Sequence, residues 1–111
     1  MKKNFLPLKV SVIVSLLIAS CSEADKPSIT DAAMDQILRG KEIFGTQCSA
    51  CHGKFGNGGM NGAKNLQISV LSTEQMLQKV STGGNGMPAF NGTLGEASIR
   101  EVVAYIRTLH K

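Results

Sequence analysis

The chain has 111 residues and a formal charge of +4, from twelve basic and eight acidic side chains. Three of the basic residues lie within the first nine positions, and a chain that starts at Cys21 keeps nine basic against eight acidic side chains; this excludes a nucleic-acid module, which carries its positive stripe inside the folded domain. There is no Trp, one Tyr and four Phe beside twelve Gly, so a domain this small needs a further source of apolar volume.

Residues 1–20 are predicted to be a signal peptide. Two Lys near the start precede the apolar run 10–19, which is too short to cross a hydrocarbon core of about 30 Å as a helix. The run Ile18-Ala-Ser-Cys21 resembles the lipobox of bacterial lipoproteins, in which cleavage precedes an acylated Cys. We therefore expect lipid on Cys21 and export to the periplasm or the outer face of the cell envelope, anchored to the membrane. An uncleaved anchor, or a signal cut nearby, is the alternative.

The next predicted elements are a tether and a first helix. Residues 21–31 are mostly polar after Cys21 and predict a flexible tether, so that the folded domain spans residues 32–111. Thr30 or Asp31 is expected to cap a helix from Ala32 to about Gly45. From their spacing, its buried stripe is predicted to consist of Met34, Ile37, Leu38 and Phe44. Gly40 lies on the same broad side, which predicts a close approach by another helix.

Two further helices are predicted in the second half of the chain. Ser72-Thr-Glu-Gln75 has the pattern of a capping box, opening a short helix that Gly83-Gly84 ends. The last helix is expected from about Glu96 to Leu109. Its apolar side consists of Ile99, Val102, Val103, Ile106 and Leu109. No segment shows sustained apolar–polar alternation, so the predicted class is mostly α with long loops.

The motif Cys48-Ser-Ala-Cys51-His52 predicts the chemistry. C-x-x-C-H is the sequence mark of covalent haem c attachment. Two thiols three positions apart lie on one side of a helical turn, where each can bond one haem vinyl group, and His52 then directs a nitrogen at the iron. A thioredoxin-like site would need βαβ surroundings, and a zinc site a fourth ligand. One covalent haem c would also supply the missing apolar volume.

Four short segments resemble the class I cytochromes c, above all their small bacterial and photosynthetic monohaem members. In chain order they are Gly40–Phe44, Cys48–Gly53, Gly86–Phe90 and Val102–Ile106. The resemblance covers residues 32–110. It implies an all-α fold in which the N- and C-terminal helices cross, with one short middle helix and loops wrapped around the haem. Gly40 and Phe44 would then meet Val102 and Tyr105 at the crossing.

One segment departs from that family's pattern. Its members often carry Gly-Pro-x-Leu after the haem motif, and the Pro carbonyl accepts a hydrogen bond from the ligand imidazole. Here the stretch Gly62-Ala-Lys-Asn-Leu66 has no Pro. The carbonyl of Ala63 or of Lys64 is left to orient His52.

Met87 is the predicted second axial ligand. It lies in the glycine-rich segment 83–88, after a helix stop and far along the chain from His52, and Pro88 restrains the backbone beyond it. The other candidates are Met34, Met60, Met76 and His110. The glycine cluster at residues 53–62 lacks the Gly-Lys-Ser/Thr ending and preceding strand of a phosphate-binding loop.

His/Met ligation is typical of electron-carrying cytochromes, because it raises the potential and leaves no open site on the iron. The sequence therefore predicts a one-electron carrier that is not an enzyme. Its expected partners are redox proteins reached through a small transient interface: a quinol-oxidising complex, a terminal oxidase, a reaction centre or a reductase. The alternatives are a haem subunit of a larger oxidoreductase, a ligand-binding haem sensor or peroxidase, and a structural zinc lipoprotein.

Overall fold

The structure, a computed structural model, describes residues 29–111. The predicted signal peptide, the predicted lipidation site Cys21 and residues 22–28 of the tether lie outside this range. Within it, regular secondary structure is helical apart from one isolated antiparallel bridge that pairs Gly84 with Met87. None of the helices in these residues has the length and apolar character needed to span a bilayer.

The helices follow the predicted order, with one addition. They are α1 (Ile29–Ile43), α2 (Ser49–His52), α3 (Thr73–Thr82) and α4 (Glu96–Thr108). A π-helical turn, Phe44–Cys48, joins α1 to α2, and two 3₁₀ turns follow at Met60–Gly62 and Leu66–Ile68. The predicted cap residues Thr30 and Asp31 lie inside the first turn of α1, where Asp31 suits the positive end of the helix dipole. The all-α prediction is confirmed.

Helices α1 and α4 cross at Gly40. A Cβ atom on Gly40 would lie 1.9 Å from the carbonyl oxygen of Glu101 and 2.9 Å from Cβ of Tyr105. One turn later Phe44 is 1% exposed, and its ring centroid is 5.3 Å from that of Tyr105. The Arg39 guanidinium pairs with the Glu101 carboxylate across the same crossing at 2.7 Å. The predicted close approach is confirmed, and it requires a residue without a side chain.

The predicted buried stripe of α1 is wrong for two of its four residues. Met34 is 57% exposed and Leu38 54% exposed, whereas Phe44 is buried and Ile37 half-buried. At about 100° per residue, Met34 and Leu38 lie roughly 120° and 160° around the helix from Gly40. Met34 is three positions before Ile37 and four before Leu38, which is helical spacing, but α4 packs against the other side of α1. Spacing alone did not distinguish the two sides.

The hydrophobic core lies between α4, the π turn and α3. Helix α4 buries Ile99, Val102, Val103 and Ile106, as predicted, and Leu109 packs on the edge. The remaining core residues are Phe44, Cys48, Met76, Val80 and Phe90. The core therefore packs directly against the turn that carries the first Cys of the C-x-x-C-H motif.

Helix α3 begins and ends as its local sequence predicts. The Ser72 hydroxyl accepts a hydrogen bond from the Gln75 backbone N–H at 3.2 Å, and the Gln75 side chain accepts one from the Ser72 N–H at 2.8 Å. This is the predicted capping box. The helix ends at Gly83, whose φ is +66°, in the left-handed region that favours glycine.

Candidate functional site

An apolar cavity of about 480 Å³ opens beside the C-x-x-C-H motif. Its volume falls within the range of about 300–1,000 Å³ typical of small-molecule and cofactor sites. Its apolar lining comes from the segment after the motif and from α3, the Met87 turn and α4: Leu66, Ile68, Val70, Leu71, Met76, Val80, Met87 and Ile106. The polar or chemically reactive lining residues are Cys48, His52, Lys64, Asn65, Ser69 and Lys79.

His52 ends α2 and lines this cavity half-buried. Its ring nitrogen Nδ1 lies 2.9 Å from the Lys64 carbonyl oxygen. A carbonyl only accepts, so Nδ1 carries the proton and donates, and in the neutral ring Nε2 keeps a lone pair for a metal. Of the two carbonyls that the sequence left open, the structure places that of Lys64, not Ala63, against His52.

Cys48 and Cys51 differ in their surroundings. Cys48 closes the π turn, is 7% exposed and lines the cavity, whereas Cys51, one helical turn later, is exposed. Burial, with a smaller contribution from the neighbouring Cys51, raises the pKa of the Cys48 thiol to about 11. The neutral thiol is therefore the favoured form at neutral pH. Between residues 29 and 111, no three His, Cys, Asp or Glu side chains are grouped so as to hold a metal ion.

Met87 is presented by a tight turn that follows α3. The Gly84 N–H donates to the Met87 carbonyl at 2.8 Å, and the Met87 N–H donates back at 3.3 Å. The two central residues, Asn85 and Gly86, have φ of +56° and +84°, as in a type I′ turn. The Lys79 ammonium, on α3, donates to the Gly84 carbonyl at 3.2 Å. Backbone pairing thus holds Met87, half-buried, in the lining of the cavity.

The other candidates for the second axial ligand are placed differently. Met60 is 62% exposed, and Met34 is exposed on α1; neither lines the cavity. His110 is exposed and lines a separate surface cavity at the C-terminus. Met76 does line the His52 cavity, but it is 5% exposed within the core. The structure therefore brings Met87 and Met76 to the cavity of His52.

Sequence reasoning missed one part of the cavity wall. Ile68, Val70 and Leu71 form an exposed apolar stretch that begins at the last residue of the second 3₁₀ turn, and Val70 is 96% exposed. The stretch is too short and irregular to show a helical or strand period, so its only signal was an apolar run next to the motif. Lys79 carried a clearer signal, because it follows Met76 by three positions and so lies on the same side of α3.

The residues present fit a covalently attached haem. Two thiols stand one turn apart, one of them in the cavity wall, and the next residue is an imidazole whose Nδ1 is already bonded. A thioether from a separate loop reaches the same cavity, whose walls are predominantly apolar. Soft sulfur and imidazole donors in an apolar cavity suit iron in a macrocycle.

Comparisons with known proteins agree with this chemistry. The family model described as "Cytochrome C oxidase, cbb3-type, subunit III" matches residues 35–106. Cytochrome c6 of Leptolyngbya boryana is 36% identical over 73 residues, which cover 60% of this chain and 85% of that protein. Cytochrome c6 of a Synechococcus species is 37% identical over 83 residues, covering 69% and 73% respectively.

A solved structure shows the same architecture. Cytochrome c6 of the diatom Phaeodactylum tricornutum superposes with a TM-score of 0.57 at 30% identity, covering 65% of this chain and 91% of that one. The range matched by the family model, residues 35–106, contains the crossing point at Gly40 together with His52 and Met87. The chain therefore belongs to the c-type cytochrome family, as a homologue of cytochrome c6 and other class I members, and the cofactor of that family is covalently bound haem c.

Proposed function

We propose that this protein is a one-electron carrier of the cell envelope, with Cys48 and Cys51 holding the haem through thioethers and His52 and Met87 as its axial ligands. One observation carries the proposal: an imidazole with a satisfied Nδ1 and the thioether of Met87 line the same apolar cavity. When bound, haem supplies an iron that changes its charge by one electron without making or breaking a bond.

The protein's contribution is to hold both ligands still and to surround the haem with an apolar lining. The Lys64 carbonyl fixes the tautomer and orientation of the His52 ring. The paired backbone of Gly84 and Met87 holds the thioether, a soft neutral donor that favours the reduced metal. Met76, Val80 and Ile106 close the cavity on its core side. With His52 and Met87 both bound to the iron, the haem would have no free position for oxygen or peroxide.

Met87→Ala tests the carrier role. A pyridine haemochrome spectrum of wild type and acid–acetone extraction first establish whether one covalent haem is present. Met87→Ala is expected to remove the far-red sulfur-to-iron band of the ferric protein, lower the midpoint potential and let the ferrous protein bind carbon monoxide. Met60→Ala is the matched control, because Met60 is exposed outside the cavity.

Two results would contradict the assignment. If Met60→Ala removes the band and Met87→Ala keeps it, the ligand is wrong. If wild type lacks the band and binds carbon monoxide readily, the protein is a ligand-binding haem sensor or peroxidase and not a simple carrier. Met76→Leu serves as a further control, since it preserves core volume while removing the other thioether in the cavity.

The cellular location is also part of the proposal. Residues 1–20 would be removed, Cys21 acylated, and residues 21–31 would tether the domain 32–111 near the membrane, in the periplasm or on the outer face of the envelope. Such a tether raises the encounter rate with membrane-bound redox partners without tight binding. Cys21→Ser should abolish fatty-acid labelling and processing at this site; labelling that persists in the variant excludes Cys21 as the attachment site.

A haem subunit of a larger oxidoreductase is the second candidate function. The observation that favours it is the family model, whose description names a subunit of an oxidase. Detergent extraction followed by purification at high salt separates the two. A free carrier is recovered alone, whereas a subunit co-purifies with other chains in fixed stoichiometry.

A further inference from the structure

We propose that Asn65 is a positioning residue for His52, and that its side chain replaces the proline ring which cytochromes of this kind often carry after the haem motif. The proposal rests on the proposed role of His52 as an iron ligand. In this role Asn65 keeps the Lys64 carbonyl in position to accept the hydrogen bond from the His52 imidazole N–H.

The contact that carries this inference is a local side-chain turn. The Asn65 side-chain oxygen accepts a hydrogen bond from the Gln67 backbone N–H at 2.9 Å, and so caps the 3₁₀ turn Leu66–Ile68. Asn65 itself has an extended backbone, with φ −68° and ψ +114°. This is an Asx turn, in which an Asn side chain restrains its own backbone.

Restraining Asn65 restrains the acceptor of the His52 hydrogen bond. The Lys64 carbonyl and the Asn65 N–H belong to one planar peptide unit. A rotation of the Asn65 backbone therefore turns the carbonyl that receives the His52 proton at 2.9 Å. A Pro ring achieves a similar restraint by fixing φ covalently, and this chain uses a hydrogen bond in its place.

Asn65 also joins a segment held by hydrogen bonds to distant residues to one held by a local turn. After it, the Leu66 N–H donates to the Gly56 carbonyl at 2.7 Å, and the Gln67 carbonyl accepts from the Lys111 N–H at 3.0 Å. Before it, the mostly exposed residues 60–63 form a local turn, in which the Ala63 N–H donates to the Met60 carbonyl at 3.0 Å. Through its Asx turn, Asn65 links the Lys64 peptide to residues 66 and 67, which these hydrogen bonds hold in place.

The consequence for the ligand is electronic as well as geometric. A ligating His that donates its other N–H to a fixed carbonyl is a stronger base toward the metal. Weakening that bond reduces the electron density on Nε2. Ferric iron then loses more stabilisation than ferrous iron, so the midpoint potential rises.

The test compares Asn65→Ala with Asn65→Ser, which keeps a neutral acceptor oxygen at a similar place. The readouts are solvent exchange of the His52 Nδ1 proton in ferrous holoprotein, followed by NMR, and the midpoint potential. Asn65→Ala should speed exchange about fivefold, the factor for one ordinary hydrogen bond, and raise the potential. Asn65→Ser should restore most of the wild-type exchange rate and most of the wild-type midpoint potential. Asn91→Ala, at an exposed Asn outside the cavity lining, is the matched control.

A proline at residue 64 provides the rescue. Ala63 has ψ +135°, a conformation that suits a residue before proline. In a Lys64→Pro background, Asn65→Ala should change the exchange rate little, because the ring already restrains the peptide. Both proteins in this comparison carry Lys64→Pro, so the loss of the Lys64 charge affects them equally.

Three results would overturn the proposal: exchange in Asn65→Ala that matches wild type, a serine variant no better than the alanine variant, or an alanine effect undiminished in the proline background. If Asn65→Ala yields no holoprotein, the serine and proline variants decide, and failure of either to restore it also overturns the proposal. Failure of the proposed function is seen separately, as wild type without covalent haem or with an iron that binds carbon monoxide.

Discussion

The α1–α4 crossing and the Met87 turn both require glycine, for opposite reasons. At the crossing Gly40 has ordinary helical geometry, but the α4 backbone lies where its Cβ would be, 1.9 Å from the Glu101 oxygen. At the turn Gly86 has no heavy atom of the described residues within 4 Å of such a Cβ, yet its φ is +84°. The first glycine creates space for a neighbour, and the second permits a backbone conformation. A substitution at the crossing should therefore destabilise the whole fold, and a substitution at the turn should disturb the structure only locally.

Gly40→Leu is expected to have the largest effect on stability. The side chain must push α4 away, and overpacking of this kind costs at least about 1–3 kcal/mol, a large part of the stability of a small domain. Thermal unfolding measures the change. Gly45→Leu is the matched control, because Gly45 is exposed with open space around it in the described region. An unchanged melting temperature for Gly40→Leu would rule out the crossing.

Gly83→Ala should come second, because this position combines both problems. Its φ is +66°, and a Cβ would lie 2.5 Å from the Met87 carbonyl oxygen. The conformation at φ +66° and ψ −148° is essentially restricted to glycine and costs another residue about 1–3 kcal/mol, and the clash displaces the backbone that presents Met87. We expect a lower melting temperature together with a weakened far-red band in the ferric spectrum. A variant that unfolds earlier but keeps the full band would show that Met87 does not depend on this turn.

Gly86→Ala should have a smaller and purely conformational effect. Strain of roughly 1–2 kcal/mol is expected with the far-red band retained, because open space surrounds this position. Gly86→Asn should cost less than Gly86→Ala, since Asn tolerates positive φ. For each of Gly83→Ala and Gly86→Ala, the loss of the far-red band is compared with the loss of stability. A larger band loss for the same destabilisation in Gly83→Ala indicates that the steric clash, and not the backbone strain, displaces Met87. Equal band loss in the two would contradict the distinction.

The smallest predicted effect is an acid-dependent one at the start of α3. The backbone N–H of Glu74, and then the Ser72 hydroxyl, lower the pKa of the exposed Glu74 carboxyl. A lowered folded-state pKa contributes stability that is present above the ordinary carboxyl pKa and lost as the pH falls through the lowered value. Glu74→Gln should therefore lower the melting temperature slightly at neutral pH and leave it unchanged in acid, where the wild-type carboxyl is protonated, so that the acid side of the profile becomes flatter. A melting temperature that falls more steeply with decreasing pH in Glu74→Gln than in wild type would contradict this expectation.

The parts of the fold that the sequence predicted correctly depend on contacts between near neighbours. The Ser72–Gln75 capping box closes within one helical turn, and the apolar side of α4 repeats every three or four residues. The C-x-x-C-H motif is likewise local, so its residues were identified before any packing was known. The resemblance to class I cytochromes added the crossing at Gly40, which spacing alone only suggested.

The remaining features depended on partners distant in the chain. Met34 and Leu38 have the same spacing as buried residues, but only the position of α4 decides that they face outward. The π turn at Phe44–Cys48 has no composition signal, and the apolar wall at Ile68 and Val70 has no period.

By itself the sequence determined three of the four α-helices, the haem-attachment motif and a short set of possible ligands, because each is encoded within a few residues. Only the tertiary structure decided whether the carbonyl of Ala63 or of Lys64 accepts the His52 hydrogen bond; Lys64 is twelve positions from His52 in the chain. Only the tertiary structure, likewise, excluded Met60 and His110 from the cavity of His52. The physical reason is that a hydrogen bond or a shared cavity between distant segments depends on how whole elements pack. Local propensity carries no information about that packing.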